Sequence, residues 1–121
     1  MSAEIVGVEG GILTLKVSGR LMLSELTAVQ KQGAEILRQH GKMSILVLGE
    51  GFDGWDPGDD WSDISFQLEY DQFIEKIALV GEKCWGELAQ IFAGRGLREA
   101  RVEYFPSTDL PKARAWLTAN P

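Results

Sequence analysis

Three groupings of side chains invite a chemical reading. Gly49-Glu50-Gly51-Phe52-Asp53-Gly54 spells G-x-G-x-x-G directly after an apolar run, the pattern of a dinucleotide loop. A pyrophosphate needs a helix that starts inside the motif and turns its N–H groups on the ligand. Here Asp56-Pro57-Gly58 intervenes, and Glu50, Asp53, Asp56, Asp59 and Asp60 would surround a dianion with like charge. The segment therefore reads as a flexible turn. The same acids, with Asp63, raise the chemistry of a hard cation, which takes oxygen ligands. An EF-hand loop from Asp53 would need ligands at Trp55 and Pro57, and one from Asp56 meets Gly58 and then Gln67 where a bidentate Glu belongs. An acidic cap near a helix N-terminus is the simpler expectation.

Cys84 falls in the first turn of an expected helix, where the dipole favours a thiolate, yet no base lies near it in sequence. His40, at a helix C-terminus, reads as a surface residue favoured by the dipole and not as a general base. One cysteine excludes an internal disulfide, and one cysteine with one histidine cannot furnish a zinc site of Cys/His type. G-x-S-x-G, H-E-x-x-H and P-loop patterns are absent. A non-enzymatic protein with no cofactor and no metal is expected.

The densest feature is a stretch of mixed character. From Glu50 to Glu75 there are nine acids and no Lys or Arg, and the other 95 residues carry twelve bases against nine acids. Six of the eleven aromatic residues, Phe52, Trp55, Trp61, Phe66, Tyr70 and Phe73, lie within 22 positions of the same stretch. One helical face cannot take them all along with Ile64 and Leu68. Some are expected on a second surface that covers a ligand, a protein partner or another copy of the chain. The local negative charge repels a phosphate backbone, and Arg95, Arg98 and Arg101 are the only tight basic group, so nucleic acid is not an expected partner.

The elements that must position these residues follow from periodicity. The 121 residues suit one domain, 1–121. Ala3–Val8 and Ile12–Val17 are β-prone runs around Gly10-Gly11, which predicts an antiparallel hairpin. Leu26, Val29, Gly33, Ile36 and Leu37 mark one face of a helix from Leu23 to His40 that Gly41 stops. Met43–Leu48 and Lys76–Val80 are nearly unbroken apolar runs, as in strands covered on both faces. A helix is expected at about Asp59–Tyr70, another at Lys83–Phe92 with Trp85, Leu88, Ala89 and Phe92 inward, a strand at Ala100–Phe105 and a last helix at Leu110–Asn120. The order ββαβαβαβα implies an α/β fold: a mixed five-stranded sheet with four helices in a right-handed βα superhelix. The first residues lack a basic and apolar leader and no run of 18 apolar residues occurs, so a cytoplasmic, soluble protein is expected.

The run Lys76-Ile77-Ala78-Leu79-Val80-Gly81-Glu82-Lys83-Cys84-Trp85, with Val102-Glu103-Tyr104-Phe105 and Ala113-Arg114-Ala115-Trp116-Leu117, resembles the SpoIIAA-like family of small bacterial proteins related to STAS and SEC14 domains. Val17-Ser18-Gly19-Arg20-Leu21 and the Met43–Leu48 strand extend the likeness over nearly the whole chain. The resemblance implies the same sheet and no established catalytic activity. STAS proteins of the anti-sigma-antagonist type are switched by phosphorylation of a serine after the third strand. Ser62 is the nearest candidate, but Asp59, Asp60 and Asp63 would repel a phosphate of roughly -1.5 to -2 charge, so the switch does not carry over. The leading expectation is a STAS-like regulatory or interaction module, with Phe52, Trp55, Trp61, Ile64, Phe66, Leu68, Tyr70 and Phe73 meeting a protein partner or forming a homodimer. The alternative, implied by the kinship with SEC14, is binding or carriage of a membrane lipid or another apolar small ligand under the same segment.

Overall fold

The computed structural model describes residues 2–59, 70–93 and 100–119. Within them the chain forms five strands in the order of the sequence, β1(Ala3–Glu9), β2(Ile12–Leu21), β3(Met43–Trp55), β4(Ile74–Gly81) and β5(Arg101–Pro106). The first pair is antiparallel, and every later neighbour is parallel. Gly10 and Gly11, with φ of 56° and 78°, turn the hairpin that joins β1 to β2, as the glycine pair predicts.

Three α-helices lie among the described residues: α1(Leu23–His40), α2(Gly86–Phe92) and α3(Leu110–Thr118). The helix expected at about Asp59–Tyr70 falls on residues outside those described, apart from its two ends. Helix α1 begins and ends where the sequence places it. The backbone N–H of Leu23 donates to Asp59 Oδ2 at 2.8 Å, and Gly41, at φ 76°, returns its N–H to the Leu37 carbonyl. One of the acids of the segment from Glu50 to Glu75 is thus a helix cap. A second clasp holds the chain start: Ser2 Oγ donates to Glu25 Oε1 at 2.7 Å, and the Met22 N–H donates to Ser2 Oγ. These bonds, first from the Ser2 side chain and then from its backbone, hold the Glu25 carboxyl below its ordinary value.

Alternation along the strands separates two cores. Leu13, Ile45, Ile77 and Val102 stand side by side across the sheet and face α1 and α2. Ile12, Leu46, Ala78 and Val80 face the other way, against Ala113 and Leu117 of α3. Lys76 lies on this second face, only 2% exposed, with Nζ donating to the carbonyls of Trp116 and Ala119 at 2.8 and 2.7 Å and sitting 5.2 Å from the Trp116 ring centroid. A strand cation therefore satisfies the carbonyl end of a helix, where the dipole favours positive charge.

Two expectations need correction. Strand β3 does not end at Leu48. It runs on to Trp55, so Gly49–Gly54 is extended chain paired with β2 (Gly19 with Phe52, Leu21 with Trp55) and not a turn. Positive φ at Gly51 and Gly54, 64° and 91°, lets the strand bend without stopping. The helix expected from Lys83 opens as a 3-10 turn over Lys83–Trp85, and α2 starts at Gly86. That changes the angular phase, so Leu88 and Phe92, expected inside, are 52% and 40% exposed.

Candidate functional site

Between α1, α2 and the facing side of the sheet lies an apolar cavity of about 260 Å³. Along the sheet its lining runs from Leu13, Ile45 and Ile74 to Val47, Leu79 and Tyr104, and beyond these Gly49, inside β3, and Gly81, at the end of β4, contribute no side chain. The wall beyond is aromatic. Phe52 meets Trp55 edge to face with centroids 5.1 Å apart, Trp85 stands 5.3 Å from Phe52 and 6.1 Å from Trp55, and Phe92 closes on Trp55 at 5.2 Å. Such tilted and T-shaped pairs are the favoured arrangement of ring quadrupoles. This aromatic wall lies at the carboxyl ends of parallel strands, where α/β sheets commonly take their ligands.

Close contacts fix this wall. A Cβ on Gly54 would stand 3.1 Å from the Trp85 ring, at a φ that side chains rarely adopt. A Cβ on Gly81 would come 2.8 Å from the Tyr104 hydroxyl, which crosses above it to donate to the Glu82 carbonyl at 2.5 Å. Burial, then the nearby Cys84 and Glu82, push the Tyr104 phenol above its ordinary value. Trp55 Nε1 is the one side-chain polar atom among the described residues that is buried without a hydrogen-bond partner.

The residues singled out in the sequence divide. Phe52 and Trp55 are brought together at the cavity. Tyr70 is buried in the same core with its ring 6.2 Å from Phe73, and Arg38 lies over it and donates to its hydroxyl. Trp61, Ser62, Ile64, Phe66 and Leu68 lie outside the described residues, as do Arg95 and Arg98. Trp85, Phe92, Tyr104, Gly49 and Gly81 join the site without having been expected there. A signal for two of them existed: both buried runs, Met43–Leu48 and Lys76–Val80, are followed at once by glycine, which removes side chains from adjacent strands.

The other candidates are dispersed. Cys84 is exposed on the 3-10 turn with its Sγ 3.9 Å from Glu82 Oε2, and no imidazole stands beside it. His40 is exposed at the end of α1, its Nδ1 3.0 Å from the Ile36 carbonyl. No helix begins within Gly49–Gly54 to receive a pyrophosphate. Among the described residues no group of three acids, histidines or cysteines converges as metal ligands, and no helix is long and apolar enough to cross a membrane.

A mixed five-stranded sheet with a strictly sequential strand order and helices on both faces is an α/β domain of the SpoIIAA-like type. The family model of that name matches residues 12–118, and the chain belongs to the SpoIIAA-like family. Among solved structures it is similar to an uncharacterised protein with a SpoIIAA-like fold from Shewanella loihica PV-4, at 19% identity over 96% of this chain and 94% of that one, with a TM-score of 0.66. No curated protein matches. These similarities establish the fold.

Proposed function

We propose that the chain is a non-enzymatic module that binds a small apolar molecule in the cavity between α1, α2 and the sheet. The supporting observation is the cavity itself, about 260 Å³ bounded by aliphatic and aromatic side chains at the end of an otherwise close-packed core. A ligand that fills it would remove that apolar surface from water. Native mass spectrometry of freshly purified protein is expected to show a co-purifying apolar adduct, and Ala89→Trp, which puts an indole into the space, is expected to abolish it. A persistent adduct in the filled variant, or none in either protein together with no rise in melting temperature on adding apolar compounds, would refute the reading.

A second reading, docking of a protein partner or a second copy, is favoured by a different surface. Leu88 and Ile91 of α2 are 52% and 66% exposed, beside Phe92 at 40%. Leu88→Ser with Ile91→Ser is expected to lower self-association or partner capture without altering the melting temperature. Unchanged sedimentation of the double variant, with the parent protein monomeric and capturing nothing, would remove this reading.

A further inference from the structure

Among the described residues three glycines border the cavity, Gly33, Gly49 and Gly81, and they differ in what a side chain on each would meet. A Cβ on Gly49 would stand 3.2 Å from the Val80 carbonyl oxygen and 3.6 Å from Phe52 Cβ, and one on Gly81 would stand 2.8 Å from the Tyr104 hydroxyl. Packing of backbone and ring therefore asks for glycine at both. Gly33 is different. It lies buried inside the 18-residue helix α1, and among the described residues a Cβ there would meet one atom within 4 Å, Leu13 Cδ2 at 3.6 Å, an ordinary van der Waals contact. A buried Cβ in a packed core has neighbours on several sides. One with a single neighbour, on a residue that lines the cavity, projects into the cavity. Helix formation gives no reason for glycine here either, since glycine gives up more backbone freedom than any other residue and ranks far below alanine in a helix interior.

We infer that Gly33 is the residue that sets the size limit of the ligand: the methyl group it lacks is space in the cavity, kept open at the expense of helix stability. The inference rests on the cavity being a ligand site and adds the position that governs which molecules fit. It carries a signature that a packing role does not. Placing a methyl group at Gly33 improves the helix and crowds the cavity, so stability and the binding of a large ligand move in opposite directions. At Gly49 or Gly81, where a Cβ meets backbone or a hydroxyl, both fall together.

Gly33→Ala in the full chain tests this with two readouts. The melting temperature of the ligand-free protein is expected to rise by about 4 °C, as a Gly-to-Ala change inside a helix dictates. Calorimetric titration uses benzene and indole, neutral probes of one and two rings. Indole is expected to bind the variant about tenfold more weakly than it binds the parent, because one added methyl group overpacks a filled site. Benzene is expected to change by less than about twofold, since a void of about 150 Å³ already admits it. A melting temperature that stays or falls, or a variant that does not fold, would show that packing requires the glycine. Unchanged indole affinity, or equal weakening of both probes, would show that the position does not set size. Each of these results overturns the inference while leaving the cavity a ligand site. Binding of neither probe to the parent protein would overturn the ligand reading and the inference with it.

Discussion

The two faces of the sheet solve the same packing problem in opposite ways. On the face under α3, Leu46, Ala78 and Ala113 are wholly inaccessible, and the buried cation there, Lys76, has two carbonyl partners and a ring beside it. On the face under α1 and α2, Gly49 and Gly81 contribute no side chain, four aromatic rings meet beside a void, and an indole N–H is left without a partner. One face engages its buried cation fully, and the other carries the cavity and the unpartnered indole nitrogen. Natural cores pack to the density of organic crystals and pair their buried polar atoms. The face under α1 and α2 departs from both rules, which is the contrast the proposed ligand site rests on.

Paired truncations test this contrast most strongly. Leu46→Ala, on the closed face, is expected to cost about 4 kcal/mol, whereas Leu79→Ala, which borders an existing void, should cost about 1 kcal/mol less. Equal or reversed losses in chemical denaturation would erase the distinction between the faces. Gly54→Ala forces a side chain into a left-handed backbone and against the Trp85 ring. It should destabilise by about 2–3 kcal/mol and weaken any apolar ligand as the aromatic wall moves. Lys76→Met keeps the apolar stem and loses the charged donor, for about 2 kcal/mol. The expected fall in melting temperature is about 8 °C, with ligand binding unchanged.

Smallest are the pH effects, one at each end of the scale. Glu25 is held below its ordinary 4.5 by Ser2, so its contribution is complete above about that pH and disappears as the pH falls through the lowered folded value. Ser2→Ala should flatten the acid limb of the stability profile. Tyr104 is raised above 10.0, so its contribution is complete below that pH and is lost as the pH rises through the raised value. Tyr104→Phe should flatten the alkaline limb. Stability measured by urea midpoint from about pH 3 to about pH 11 records both, and an unchanged limb in either variant would detach that residue from it.

Much of the frame was legible in the residues. The hairpin follows from a glycine pair between β-prone runs, α1 from its apolar spacing and Gly41, and the two inner parallel strands from unbroken apolar runs. The site was legible only in part. Phe52 and Trp55 stood out by composition, but composition cannot say that Trp85 and Phe92, some thirty positions later, complete their wall. The extension of β3 through Gly49–Gly54 was misread as a turn because glycine and acid content imitate loop chemistry. Pairing with β2 outweighs that local preference. Likewise the run Lys76–Val80 reads as a buried strand without saying what its lysine meets, and the carbonyls that satisfy it come from some forty positions later.

Local patterning therefore settled the five strands, their order and the helices from Leu23 and Leu110, since periodicity and chain-stopping residues act within a few positions. It also settled that the segment after the third strand is acidic and aromatic. Only the tertiary structure decided that Gly49 and Gly81 lie side by side and that rings from β3, the 3-10 turn and α2 pack on one another beside the cavity. It alone also left one indole nitrogen there unbonded. Those are relations between residues distant in sequence, and a void or an unmet donor exists only once the chain has closed around it.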